Sequence, residues 1–242
     1  MSKHATLDLV GAIASLSERA RALVLSALAR YLARPLGEFS TLTRTDRQAL
    51  ETVLRRGDVL LSSGSTRCAA LVKRLTRSAW SHVSMYVGPL EDEPDPLCVV
   101  EAHIADGVRA IRLSDVDARR ICVLRPVGLD DVDRGRLVAA VLGHLGREYD
   151  LALTWTLARG VFVRRWRAQL QSLPATMGRT ATRFICSTLI AQAFALIGHS
   201  IVPAGGTLSD PVANYNSLVP ADFERASVFA IVWPVDVHDE RT

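Results

Sequence analysis

Short extended runs separated by turn residues occupy the centre of the chain, and this pattern limits the possible folds more than any other feature. Four runs have this character, over residues 58–61, 82–87, 97–103 and 121–124. The second run alternates polar and apolar residues and stops at Gly88-Pro89. An acidic, proline-rich loop then leads into the third run, so the two together predict a β-hairpin.

Helical patterns lie before, between and after these runs. Five helices are expected, over residues 5–34, after a polar linker at residues 39–47, after Ser65 or Thr66, after Asp130 or Asp131, and over residues 184–197. A last strand is expected over residues 228–233. Because strands and helices occur in separate runs rather than in strict alternation, we predict an α+β fold with an antiparallel sheet.

The size and charge of the chain restrict its class and its partners. With 242 residues, 49% of them apolar and 22% charged, it has the composition of a folded globular protein. Residues 1–56 hold nine Lys or Arg against five acids, whereas the remainder is balanced. We find no helix-turn-helix, zinc-finger or RNA-binding signature, so no nucleic-acid partner is expected. We divide the chain into a helical extension, residues 1–46, and a main domain, residues 47–242.

The cysteines and the N-terminus indicate a reducing compartment. The four cysteines lie 24 to 64 residues apart, and they are Cys68, Cys98, Cys122 and Cys186. No CxxC pair suggests a zinc site or a redox couple, so we expect no metal and no cofactor. Asp8 interrupts the only candidate signal sequence, and no uncharged apolar run approaches the length of a bilayer span. A cytoplasmic location with reduced thiols is the expectation.

Cys186 is the strongest candidate for chemistry. It lies at the start of the apolar helix predicted over residues 184–197. Free backbone N–H groups and the helix dipole at such a position stabilise a thiolate, which is the nucleophilic form of cysteine. Taken alone, a cysteine at such a position is more often a buried structural residue than a nucleophile.

A base and an orienting group are available on the predicted hairpin. Alternation places His82, Ser84 and Tyr86 on one face of a strand, from which the His82 imidazole would point at a helix packed across the sheet. The neighbouring strand offers Glu101 or His103 to fix the tautomer of that imidazole. Sequence separation leaves open whether these residues meet, and which of Glu101 and His103 is the partner.

The order of these motifs resembles a known family. Five segments contribute, namely Gly57-Asp58-Val59-Leu60-Leu61, Ser81-His82-Val83-Ser84-Met85, Val100-Glu101-Ala102 with Gly107-Val108, Gly146 with Tyr149-Asp150, and Ile185-Cys186-Ser187-Thr188-Leu189-Ile190. In this order they resemble the YiiX/YebB-like cysteine hydrolases, which are circularly permuted NlpC-type, papain-like proteins related to the lecithin:retinol acyltransferases. The resemblance covers about residues 55–230.

The resemblance implies a fold and a catalytic site. The fold would be papain-like, with an antiparallel sheet packed on the helix that bears the nucleophile and with an N-terminal helical extension. Cys186 would be the nucleophile, His82 the general base and Glu101 the orienting acid, while Tyr149 would help to bind the oxyanion. Thr188 departs from the family, in which glutamate is more usual at that position.

The chemistry implied is acyl transfer, and it leaves several substrates open. Our leading hypothesis is cleavage of an amide bond in a peptide or an N-acyl amino acid. A second is a lipid acyltransferase or phospholipase-type acyl hydrolase at a membrane surface, and a third is an inactive papain-like module that docks on membranes. The second and third hypotheses are suggested by two segments, the amphipathic residues 5–34 and the arginine-rich residues 159–183. Either segment would contact a membrane peripherally. A solvated surface is the alternative for both segments.

Overall fold

The computed structural model describes residues 18–37, 42–118, 120–147, 186–201 and 218–236. Its helices are α1 Glu18–Ala33, α2 Arg44–Val53, α3 Arg67–Thr76, α4 Asp131–Leu142, α5 Cys186–Leu196 and α6 Pro220–Arg225. Its strands are β1 Val59–Ser62, β2 His82–Tyr86, β3 Leu97–His103, β4 Gly107–Arg112, β5 Arg120–Pro126 and β6 Phe229–Asp236. The predictions for residues 5–17, for Tyr149 and for residues 159–183 lie outside the described residues.

The six strands form one sheet in the order β4-β3-β2-β1-β5-β6. Every pairing of neighbouring strands is antiparallel. The predicted α+β class with an antiparallel sheet is therefore confirmed. Strand β1 lies in the interior of the sheet, and all four of its residues are buried, which explains why its sequence is an apolar run instead of an alternating one.

The sheet buries a separate apolar cluster on each face. One cluster joins Val83 and Met85 of β2 to Leu137 of α4 and to Leu189 and Phe194 of α5. The other joins alternate strand residues, such as Leu60 and Val99, to Leu50 of α2. Helix α5 thus packs on the sheet mainly through apolar side chains, which fixes where its first residue lies.

Most predicted elements are found within two or three residues of their expected limits. Thr66 caps α3 by accepting a hydrogen bond from the Ala69 amide, and Asp130 caps α4 in the same way from Asp133. Helix α4 ends at Leu142, earlier than the Gly146 end that the sequence suggested. Strand β4 and the six-residue helix α6 were not predicted.

Helix α1 packs on the main domain through α3. The Arg67 guanidinium lies 4.4 Å from the centre of the Tyr31 ring, and Pro35 forms an isolated bridge with Thr66. Helix α2 begins within the polar segment expected to be a linker, and it runs across the boundary we drew after residue 46. Within the described ranges, no helix combines the length and apolarity that crossing a bilayer would require.

A buried ion pair fastens the start of β1. The fully buried Asp58 carboxylate accepts hydrogen bonds from Nε and Nη2 of Arg125, at 3.0 and 2.7 Å, and from the Arg55 amide at 2.8 Å. Asp58→Asn leaves the Arg125 charge without its partner, so we expect the free energy of unfolding to fall by about 3 kcal/mol. Urea denaturation measures this loss.

The matched control for Asp58→Asn is Asp92→Asn. Asp92 lies in the exposed loop before β3, so its substitution should change the free energy of unfolding by less than about 0.5 kcal/mol. Equal effects of the two substitutions would contradict the assigned role of the Asp58–Arg125 pair.

Candidate active site

Cys186 is the first residue of α5, and it is half-buried at the edge of the apolar cluster beneath that helix. Its thiol interacts with the His82 imidazole and with the backbone N–H groups of Val83 and Ser187. Apolar side chains further along the helix hold it against the sheet, with Leu189 and Ile190 fully buried. The position of Cys186 is therefore set by packing.

His82 reaches Cys186 from the end of a strand, and not from the middle of a sheet face. Helix α5 packs on the face that carries Val83 and Met85, whereas alternation puts Ser84 and Tyr86 on the other face. The expectation that α5 would lie across the face of Ser84 and Tyr86 is wrong. Because His82 and Cys186 are each the first residue of their element, they meet where the strand and the helix both begin.

Glu101 is the residue that hydrogen-bonds His82. Its Oε2 lies 2.9 Å from Nε2 of the imidazole, which leaves Nδ1 as the ring nitrogen for the thiol. In the register of the sheet Glu101 lies opposite Ser84, so it approaches His82 diagonally. The imidazole of His103 instead has its Nδ1 2.8 Å from the carboxylate of Asp106.

Arg109 fixes the second oxygen of Glu101. Its Nε and Nη2 donate to Oε1 of Glu101 at 2.9 and 2.8 Å, and its Nη1 donates to Asp106 at 2.6 Å. Arg109 lies directly opposite Glu101 in the β3–β4 pairing. A continuous row of contacts therefore runs from Asp106 through Arg109, Glu101 and His82 to Cys186.

These contacts determine the charges of the site. Burial lowers the pKa of His82, but the Cys186 thiolate and Glu101 outweigh it and raise that pKa to about 10. Burial raises the pKa of Cys186, yet the imidazolium and the two backbone N–H groups bring it below its ordinary value. Both shifts favour the thiolate–imidazolium form of the pair over the neutral form.

The carboxylate of the site is fully ionised. Burial raises the pKa of Glu101, but the hydrogen bonds and charges of His82 and Arg109 lower it to about 2. Burial and the Arg109 charge lower the pKa of His103, so that imidazole stays neutral. Glu101 can thus hold the His82 tautomer and stabilise its positive charge over the whole physiological range.

A second thiol and a buried polar loop lie beside the site. Burial, followed by the charge of Cys186, raises the pKa of Cys68 to about 12, so that thiol stays protonated. The loop before Cys68 is held by Asp117, which accepts hydrogen bonds from the Ser65 amide and hydroxyl. A side chain at Gly64 would approach that carboxylate to 2.8 Å, so this loop requires glycine.

Comparison with known proteins identifies one similar family. Residues 53–160 match the model of a family described as permuted papain-like amidase enzymes, the YaeF/YiiX or C92 family. The predicted resemblance to this family is confirmed. The matched range contains His82 and Glu101, and it ends before Cys186. The similarity to this amidase family is consistent with a cysteine hydrolase. No curated protein matches the chain significantly.

A solved papain-like structure shares the fold. The crystal structure of the metalloprotein yiiX from Escherichia coli O157:H7 aligns with 76% of this chain and 98% of its own, at a TM-score of 0.52 and 16% identity. The papain-like fold predicted from the sequence is thereby confirmed. In the part of the present chain that the structure describes, no three or more His, Cys, Asp and Glu side chains cluster as metal ligands.

The structure brings together three of the four predicted site residues, since Tyr149 lies outside the described ranges. Thr188, at the position that departs from the family, is buried in α5. Arg109 was not recognised from the sequence. The strand β4 that carries Arg109 was not predicted from the sequence. Its pairing with β3, which brings Arg109 to Glu101, was therefore not predicted either.

Arg109→Gln should weaken the site through Glu101. Without the two hydrogen bonds the pKa of Glu101 rises and its carboxylate turns more freely, so we expect alkylation of Cys186 to slow by about tenfold, the equivalent of one charged hydrogen bond. Because the native carboxylate stays ionised down to about pH 2, the variant's deficit should grow as pH falls from 6 to 4. Iodoacetamide labelling measures both effects.

Two variants distinguish positioning by Arg109 from a general loss of structure. Arg109→Lys keeps the charge and should recover part of the rate. Arg112→Gln, three residues along the same strand, removes an arginine whose Nε donates to the backbone carbonyl of Asp95, away from the site. Cys186 in this variant should be alkylated at the wild-type rate. A deficit in Arg109→Gln that is the same at every pH would contradict the role.

Proposed function

We propose that this protein is a cysteine hydrolase that cleaves an amide bond, in a peptide or an N-acyl amino acid, through Cys186, His82 and Glu101. The observation that carries the proposal is the unbroken contact from the Cys186 thiol through the His82 imidazole to the Glu101 carboxylate. A nucleophile, its base and the group that orients the base stand in the order that acyl transfer requires.

The first half of the reaction forms an acyl-enzyme. The Cys186 thiolate attacks the carbonyl carbon of the substrate, and the carbonyl oxygen becomes an oxyanion. The Cys186 backbone N–H, which as the first N–H of α5 has no acceptor within the helix, would bind this oxyanion, and we retain Tyr149 as a proposed second donor. The His82 imidazolium protonates the amine, the C–N bond breaks, and a thioester remains on Cys186.

The second half releases the acid. His82, now neutral, takes a proton from a water molecule, which attacks the thioester carbonyl. The C–S bond then breaks, the carboxylic acid leaves, and the thiolate and imidazolium are restored. Glu101 keeps its charge throughout the cycle and stabilises the His82 imidazolium at its start and at its end.

An amide substrate is favoured because an amine leaves only when it is protonated. The elevated pKa of His82 keeps a proton on the imidazole next to the nucleophile, which is the general acid that amide cleavage needs. The family description also refers to amidases. The lipid-directed and inactive alternatives, the cytoplasmic location and the membrane contact through residues 5–34 and 159–183 remain predictions from the sequence.

A substrate panel tests the proposal. We would incubate the full chain with N-acyl amino acids, short peptides, and phospholipid in vesicles, measure released amine and fatty acid, and search for an acyl adduct on Cys186 by mass spectrometry. Amine release with a thioester adduct on Cys186 is the expected result. Fatty acid release alone would favour the lipid alternative. No adduct on Cys186 from any substrate would overturn the hydrolase proposal.

A further inference from the structure

A basic cleft lies at the end of the sheet away from the catalytic residues. It has a volume of about 330 Å³, and its lining residues are Arg55, Arg56, Asp131, Arg134 and Gly135. These residues surround the start of β1 and the end of β2. His82 lies at the opposite end, as the first residue of β2 and the partner of Ser62 at the end of β1, and Cys186 contacts His82 there. Since β1 is four residues long, about 10 Å of strand separates the two sites.

The charge of the cleft is not balanced by the described residues. Three guanidinium groups face one carboxylate, and among the described residues no acidic side chain forms an ion pair with Arg55, Arg56 or Arg134. Nη1 of Arg134 is buried and has no hydrogen-bond partner. A buried guanidinium nitrogen without a partner leaves uncompensated positive charge in the wall of the cleft.

Two of the arginines are held in place by backbone contacts. Nε of Arg56 donates to the Val87 carbonyl at 2.9 Å, and its stem crosses Gly88, where a Cβ would meet Arg56 Cγ at 2.9 Å. Nη2 of Arg134 donates to the Pro126 carbonyl at 3.4 Å. These bonds occupy one side of each guanidinium and leave its other nitrogens for a ligand.

We propose that this cleft binds a phosphate group. Guanidinium forks match the oxygens of phosphate and bind them through paired, charge-assisted hydrogen bonds. With Asp131 included, the lining residues carry a net charge of two positive units, which complements a phosphate dianion. The volume exceeds what one phosphate fills, so the group would arrive attached to a carrier, either a soluble phosphomonoester or the headgroup of an acidic phospholipid.

Inorganic phosphate is the probe for the shared chemistry. Isothermal titration calorimetry of the full chain at fixed ionic strength should show saturable binding of phosphate. Arg55→Gln should weaken binding by about tenfold, as expected for one charge-assisted hydrogen bond, and it should fold normally because Arg55 is exposed. Arg134→Gln should act in the same direction, and Asp131→Asn should tighten binding because it removes a repulsive charge.

Arg136→Gln is the control for net charge. Arg136 lies on the same helix, its side chain is 70% exposed, and it pairs with Asp133 at 3.4 Å, outside the cleft. Phosphate affinity should stay unchanged in this variant. An absence of saturable phosphate binding to the wild type, or equal weakening by Arg55→Gln and Arg136→Gln, would overturn the proposal.

Vesicles distinguish the two carriers. The wild type and Arg55→Gln would be sedimented with phosphatidylcholine vesicles that contain or lack phosphatidic acid. Binding that requires phosphatidic acid and Arg55, and that inorganic phosphate displaces, identifies a lipid headgroup. Saturable phosphate binding by a protein that ignores both vesicles identifies a soluble phosphomonoester. Each result upholds the cleft as a phosphate site.

Discussion

Cys186→Ala is expected to abolish amide hydrolysis, with a fall in kcat/KM of about 10⁴-fold or more, as the loss of a catalytic nucleophile does in other hydrolases. The neighbouring Cys68 thiol is not expected to replace it as nucleophile, because its pKa is raised to about 12 and it stays protonated. Release of the amine product from a preferred substrate measures the loss.

Cys68→Ala is the matched control for Cys186→Ala. Both substitutions remove one thiol from the same region, but only Cys186 contacts His82. Cys68→Ala should therefore keep most of the wild-type kcat/KM. Substantial turnover by Cys186→Ala, or a comparable loss in Cys68→Ala, would show that the nucleophile has been assigned to the wrong residue.

His82→Ala should have the second largest effect, a fall in kcat/KM of about 10² to 10⁴-fold, which is the usual contribution of a general acid–base group. The substitution removes the imidazolium that lowers the pKa of Cys186 and the proton donor for the leaving amine. Activity measured from pH 5 to 10 should then rise only where an ordinary thiol ionises.

The direction of the pH dependence follows from the His82 pKa. That pKa is raised from 6.5 to about 10, so the ion pair stabilises the fold fully below pH 6.5, and this contribution is lost as pH rises through about 10. The wild type should therefore lose ion-pair stability progressively between about pH 6.5 and 10, and activity at the alkaline end of this range. His82→Ala should not show this alkaline loss of stability.

His103→Ala is the matched control for His82→Ala. His103 lies on the neighbouring strand and contacts Asp106 instead of the thiol. We expect it to retain most of the activity and the wild-type pH profile. If His103→Ala lost as much as His82→Ala, the assignment of Glu101 as the orienting group would have to be abandoned in favour of His103.

The sheet and the helices were largely predictable because they depend on local patterns. The apolar runs, the turn at Gly88-Pro89 and the caps at Thr66 and Asp130 each act over a few residues. Strand β4 escaped prediction because its short Gly107–Arg112 sequence places two arginines among few apolar residues. Helix α6 escaped because six residues are too few to show a helical period.

The site was predictable in composition but not in geometry. Strand register decides that Glu101 contacts His82 and that Arg109 contacts Glu101, and register depends on loop lengths and packing that a single sequence does not specify. Similarly, the meeting of Cys186 with His82 depends on how an apolar helix packs on the sheet. Only the family resemblance linked these distant residues in advance.

Alkylation of the four cysteines as a function of pH tests the central claim most directly. Iodoacetamide labelling of the wild type, mapped to each cysteine by mass spectrometry, should show Cys186 reacting rapidly well below the pKa of about 8.5 of a free thiol. Cys68, Cys98 and Cys122 should remain slow, since burial raises the pKa of each. In His82→Ala the rate at Cys186 should fall by about tenfold or more at pH 6. Ordinary labelling of Cys186 in both proteins would contradict the thiolate–imidazolium pair.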